Sequence, residues 1–121
     1  QGLMALRATI YLSLLGPAGL KEVAELSCRK THYAADRLTQ IEGCDRMFTG
    51  PFFKEFVLKY EHGADAAVRK AAAAGIDIGP TLSRMPELNW LPQEDRDQCV
   101  IVAVTESRTR EEIDQLVAAL A

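Results

Sequence analysis

Apolar positions recur at Leu3, Leu6, Ile10 and Leu14, flanked by Met4, Tyr11 and Leu15, and this spacing predicts a helix over residues 3–15 with a wide apolar stripe. Gly16-Pro17 ends it. A longer helix is expected from Gly19 to about Gln40, with Leu20, Val23, Ser27, Ala34, Leu38 and Ile41 on or near one face and Lys21, Glu22, Glu25, Arg29, Lys30 and Arg37 solvating the rest; Gly43 is its stop. Residues 46–60, "RMFTGPFFKEFVLKY", change to a two-residue period, with Phe52, Phe56, Leu58 and Tyr60 on one face, interrupted by Lys54. Gly50-Pro51 divides this stretch into a short strand and a longer one.

Asp65 is placed to cap a helix running to Ala74, whose alanine-rich run has high intrinsic propensity, and Gly75 closes it as a left-handed cap residue. Residues 76–98 contain Pro80, Pro86 and Pro92 and hold no period, so they read as a short extended piece and a long loop. Residues 99–104 are nearly all apolar and rich in β-branched side chains, the pattern of a central strand covered on both faces. A final helix sets Ile113, Leu116, Val117 and Leu120 on one side. The order helix, helix, strands, helix, strand, helix fits a single α+β domain over residues 1–121 with helices on one face of a sheet.

Bulk properties narrow the function classes. At 121 residues the chain holds one core. A net charge of −3 gives no basic footprint for nucleic acid or an anionic membrane. No 18-residue uninterrupted apolar run and no cleavable signal appear, so no membrane role and a cytoplasmic location are expected. Cys28, Cys44 and Cys99 are odd in number, without a CxxC pair, and are expected as reduced thiols. The chain opens already in helical rhythm, which reads as a piece of something longer.

Few residues offer chemistry. His32 and His62 are read as lacking a partner at metal-ligand spacing, and no site for a metal is expected. The turn "LLGPAGLKE" lacks a phosphate-binding fingerprint and reads as a helix corner. Glu94, Asp95, Arg96 and Asp97 read as solvated surface. In "TESRTREE", residues 105–112, Thr109 and Glu112 stand at capping-box spacing, and Glu111 and Glu112 complement the helix dipole. Capping leaves Thr105, Glu106 and Arg108 unexplained, and the carboxyl end of a buried strand is a usual place for a cleft.

"ALRATIYLSLLGPAGLKEVAELSCRKTHYAADRL", "GPFFKEFVLKY", "MPEL" and "VAVTESRTREEIDQLV", in collinear order over nearly the whole chain, resemble the C-terminal end of subunit 1, the α subunit, of the two-subunit bacterial glycine dehydrogenase, the decarboxylating P protein of the glycine cleavage system. The resemblance implies the small C-terminal domain of a fold-type I pyridoxal phosphate enzyme, a mixed or antiparallel sheet covered by helices, packed on a large cofactor-binding domain that lies outside this chain. It implies glycine decarboxylation with transfer of the aminomethyl group to the lipoyl arm of the H protein, a cofactor lysine on subunit 2, and an α2β2 assembly. None of Lys21, Lys30, Lys54, Lys59 or Lys70 sits in a setting that would depress its pKa beside a phosphate, so no catalytic or cofactor-binding residue is expected in this chain.

Glu55 is kept from the family's Phe-Asn-Glu-Phe pattern, with Lys54 in place of the Asn. Ser83-Arg84 replaces a usual Gly-Arg pair, and "NWLPQEDRDQ" is longer than the expected connection. The candidate cleft or subunit-contact residues are therefore Glu55, Arg84, Thr105, Glu106 and Arg108. Two other readings remain open on the residues: a free-standing interaction or ligand-sensing module, and the small domain of another fold-type I enzyme such as an aminotransferase, with Arg84 or Arg108 gripping a substrate carboxylate.

Overall fold

A computed structural model describes residues 1–121. Three strands form one antiparallel sheet in the order β1-β2-β3: β1 (Cys44–Arg46), β2 (Glu55–Tyr60) and β3 (Cys99–Ala103). Three helices cover one face: α1 (Gly2–Leu38), α2 (Ala64–Ala73) and α4 (Arg110–Leu120). A fourth, α3 (Gln93–Gln98), precedes β3. The expected α+β class holds, and the sheet is antiparallel throughout.

α1 is two helical segments joined at a kink. Gly16 has φ 60° and ψ −175°, a region essentially reserved for glycine, and Pro17 follows with its preset φ at the start of the second segment. The break therefore falls where Gly16-Pro17 predicts it. Beyond it, Ser27, Thr31, Ala34, Ala35 and Leu38 are buried at helical spacing, whereas the arm before it, residues 2–14, is exposed throughout.

Register fixes which side of the sheet faces the helices. Phe56 pairs with Val102, and Leu58 with Val100, and these four with Tyr60 and Val104 are buried. They meet Ala34, Ala35 and Leu38 of α1, Ala64, Ala67 and Ala71 of α2, and Ile113, Leu116 and Leu120 of α4 in one core of 16 residues. The alanine face of α2 lets its backbone approach the sheet closely, as its small side chains predict.

Four expectations need correction. The first strand lies at Cys44–Arg46 and residues 47–54 form a loop, so Phe52 packs from the loop rather than from a strand. β3 is covered fully on one face and only in part on the other: Val100, Val102 and Val104 are buried, while on the opposite face Cys99 is buried, Ile101 half-buried and Ala103 exposed. Its outer edge is met by residues 79–81, through Gly79 donating to Ile101 O, Ile101 donating to Pro80 O, and a Thr81–Val100 bridge. α2 begins after Gly63 and Asp65 makes no capping bond, although its carboxylate still lies in the first turn where the dipole favours it. "QEDRDQ" is the helix α3 rather than loop; Gln93 and Asp97 bond across one turn at 2.7 Å.

Gly75 closes α2 as the sequence requires. Its φ is 76°, its N–H bonds Ala72 O, and the N–H of Ile76 reaches back to Ala71 O, the paired pattern of a left-handed helix terminus.

Candidate functional site

The joint after β3 is held from both sides. Thr109 Oγ1 accepts from Glu112 N at 3.2 Å, while Glu112 Oε2 accepts from Thr109 N at 2.8 Å, completing the capping box. From the opposite side, Thr31 Oγ1 of α1 lies 3.0 Å from Val104 O and 2.7 Å from Ser27 O, and Lys30 Nζ donates to Glu106 O. Two adjacent side chains of α1 thus reach two carbonyls of the turn, the Thr31 proton being shared with Ser27 O, and this fixes where residues 105–108 sit. Thr105 and Ser107 hydroxyls bond each other at 3.0 Å, and Arg108 Nη1 is 3.6 Å from Glu112 Oε1 in a pair about half exposed.

Beside this joint lies a cleft of ≈ 370 Å³. Ile76, Ile78, Val102, Val104, Ile113 and Leu116 line its apolar part, and Asp77, Arg108, Glu112 and Gln115 its polar part. Gln115 Nε2 donates to Ala74 O, tying α4 to the end of α2 at the rim. A broader groove of ≈ 620 Å³ lies among Arg37, Gln40, Ile41, Glu42, Glu61, His62 and the end of α4, and holds none of the candidate residues.

The structure gathers four of the five candidates at one end of the sheet. Glu55 opens β2 opposite Ala103, and Lys54 O accepts from Val104 N, so Glu55 stands alongside the strand end that leads into Thr105, Glu106 and Arg108. Arg84 is apart. It ends a short helical turn, Leu82–Arg84, that follows the Thr81–Val100 bridge near the start of β3. Of the four, Arg108 alone lines the cleft.

Sequence reasoning missed the residues that build the joint from outside it. Lys30 and Thr31 were visible only as helix positions, although Thr31 falls four residues after buried Ser27. It also missed a pair: Cys28 and His32 stand at i,i+4 spacing, with Sγ 3.7 Å from Nδ1. The same Nδ1 is 2.9 Å from Cys28 O, and the imidazole stacks on Phe52 at 4.2 Å between centroids, so the ring is engaged in packing. No third His, Cys, Asp or Glu joins them to make a metal-binding group.

Four of the five lysines have polar partners, which bears on whether any could form a Schiff base. Such a lysine needs a depressed pKa and a nearby phosphate cradle. Lys59 moves the other way: its hydrogen bond to Asp95, 2.8 Å long, raises its pKa. Lys30 is committed to Glu106 O, Lys70 to Tyr60 Oη and Leu120 O, and Lys21 pairs with Glu25. Among the thiols, burial pushes Cys44 and Cys99 up to about 11, with Asp45 adding to the rise at Cys44. They remain protonated at neutral pH and make poor nucleophiles.

The fold and site together define a small α+β domain whose polar end is a braced joint beside a cleft. The chain belongs to the glycine cleavage system P-protein family, whose profile matches residues 1–120. It is 46% identical over 121 residues to a protein of Carboxydothermus hydrogenoformans named probable glycine dehydrogenase (decarboxylating) subunit 1, and 44% identical to the one so named from Moorella thermoacetica. These alignments take in 99% of this chain but 25% and 26% of the relatives, so the chain spans about a quarter of their length. A crystal structure of glycine decarboxylase (P-protein) in inhibitor-bound form superposes with TM-score 0.81 at 30% identity, over 98% of this chain and 25% of that one. The fold alone is shared with a C-DES mutant carrying glycine covalently linked to its PLP cofactor, at TM-score 0.64 and 20% identity over 83% of this chain and 23% of that one.

Proposed function

We propose that this chain is the C-terminal small domain of subunit 1 of a glycine dehydrogenase (decarboxylating), an oxidoreductase of the glycine cleavage system. In this reading the assembled enzyme releases the carboxylate of glycine as carbon dioxide and passes the aminomethyl group to the lipoyl arm of the H protein. The observation that carries it is the family match over residues 1–120, joined to 46% identity along essentially the whole chain. Pyridoxal phosphate, the electron sink such a decarboxylation needs, belongs on this reading to subunit 2. The engaged lysines of the present chain support that assignment.

The domain's own part is structural. Thr31 and Lys30 pin the joint after β3, and the capping box orients α4, so Thr105, Glu106 and Arg108 are presented with Glu55 on one edge toward the large domain or the partner subunit. Arg84, at the other end of β3, would serve a separate contact. A cytoplasmic α2β2 assembly is the corresponding whole.

The test is coexpression of the full-length subunit with subunit 2, with a tag on one of them. Copurification and glycine-dependent release of carbon dioxide are expected. Failure of the two chains to copurify would sink the assignment.

A further inference from the structure

The N-terminal arm of α1 has no partner. Leu3, Leu6, Ile10 and Leu14 run along it, and Leu3 and Leu14 are 79% and 81% exposed. Met4, Tyr11 and Leu12, each at least half exposed, widen the apolar surface. At about 100° per residue, the sector from Leu6 round to Leu12 covers about 240° of the helix circumference. Gly2, Ala5, Thr9 and Ser13 fill what remains, and Thr9 Oγ1 turns inward onto Ala5 O. A helix apolar around most of its girth is a buried helix.

What buries it can be decided from its shape. A single helix from a second copy would cover one stripe, as in a coiled coil, and leave most of the 240° sector in water. A bilayer core about 30 Å thick needs about 20 apolar residues. Although α1 as a whole is long and apolar enough, with a window of mean hydropathy 1.4, the break at Gly16 limits the straight arm to residues 2–15, about 21 Å at ~1.5 Å per residue. Arg7 also sits inside the apolar sector, where it requires an acceptor. A many-sided apolar cavity with one polar acceptor is what the interior of a folded domain offers. The chain spans about a quarter of its relatives' length, so such a domain is available in the remaining three quarters.

We propose that residues 2–15 form an anchor helix buried inside the large domain of the same polypeptide, with Gly16 as the fixed elbow that lets one helix belong to two cores. This rests on the reading of the chain as part of a longer subunit and deepens it, because it names the contact through which the small domain is held.

Amide hydrogen exchange tests it. In the 121-residue chain the arm is a free helix of about 14 residues, marginal in water, and its amides exchange close to the unfolded rate. In the full-length subunit they are expected to exchange at least about 100-fold more slowly. Ile10→Asp gives a second readout: it leaves the urea midpoint of the 121-residue chain unchanged and lowers that of the full-length subunit. Equal exchange in the two chains overturns the proposal. So does protection of the arm in the 121-residue chain accompanied by a dimer mass, or by cosedimentation with phosphatidylglycerol vesicles. Carbon dioxide release by the assembled enzyme, measured in parallel, keeps this outcome apart from the functional assignment, since an active enzyme with an unprotected arm removes the anchor alone.

Discussion

Thr31 shows how one side chain couples helix to joint. It is fully buried, and its hydroxyl lies within bonding distance of Ser27 O in its own helix and Val104 O across the core. Thr31→Val keeps the volume but leaves Val104 O short of a partner, so a loss of about 1–2 kcal/mol is expected in urea denaturation. A change within error would show that the bond is not formed. Cysteine chemistry gives a second residue-level outcome. With folded-state values near 11 against an ordinary 9.0, Cys44 and Cys99 keep their protons where the unfolded chain loses them. The unfolded state then binds fewer protons, so their contribution is intact below about pH 9 and is lost as pH rises from 9 to 11. A urea midpoint falling over that window, with a shallower fall in Cys44→Ala/Cys99→Ala, is expected; an identical slope in the variant would refute it.

At the scale of elements, the sheet has a dry side and a wetter one. Leu58 is fully buried against the helices, whereas Val57, its neighbour on β2, faces away and is half-buried. Leu58→Ala should cost about 2–5 kcal/mol, and Val57→Ala clearly less; equal losses would mean that the second face is as well packed as the first. The two-residue period of residues 56–60 carries this information directly, and the helical repeat of α1 and α4, the Gly16 and Gly75 breaks and the Thr109 capping box are equally legible, because each depends on local backbone geometry or on one face meeting one core. What was hidden depends on contacts between distant segments. β1 is three residues long and exists because Cys44 and Arg46 find Tyr60 and Leu58 across the hairpin, so no period could announce it. α3 is six polar residues without an apolar stripe, and its register is set by Lys59–Asp95 and its place before β3. β3 looked like a strand covered on both faces because its apolar run is continuous, yet the chain spends Ile101 on the less covered side.

For the whole molecule, the candidate site was legible as a place but not as a mechanism. The turn 105–112 could be singled out from its polar cluster, while its bracing by Lys30 and Thr31 comes from more than 70 residues away in sequence. The same long-range commitments decide what the chain can do alone. A Schiff base requires a free, neutral amine, and here Lys30, Lys59 and Lys70 each donate to an oxygen, Lys21 pairs with Glu25, and Lys54 stands exposed in the loop just before β2. Asp95 stabilises the charged form of Lys59, the wrong direction for a nucleophile. The 121-residue chain mixed with pyridoxal phosphate and passed through gel filtration is therefore expected to emerge without visible cofactor absorbance and to release no carbon dioxide from glycine. Absorbance that comigrates with the protein, survives borohydride reduction and maps to one lysine would assign a cofactor site to this domain and transfer to it the chemistry placed here on the partner subunit.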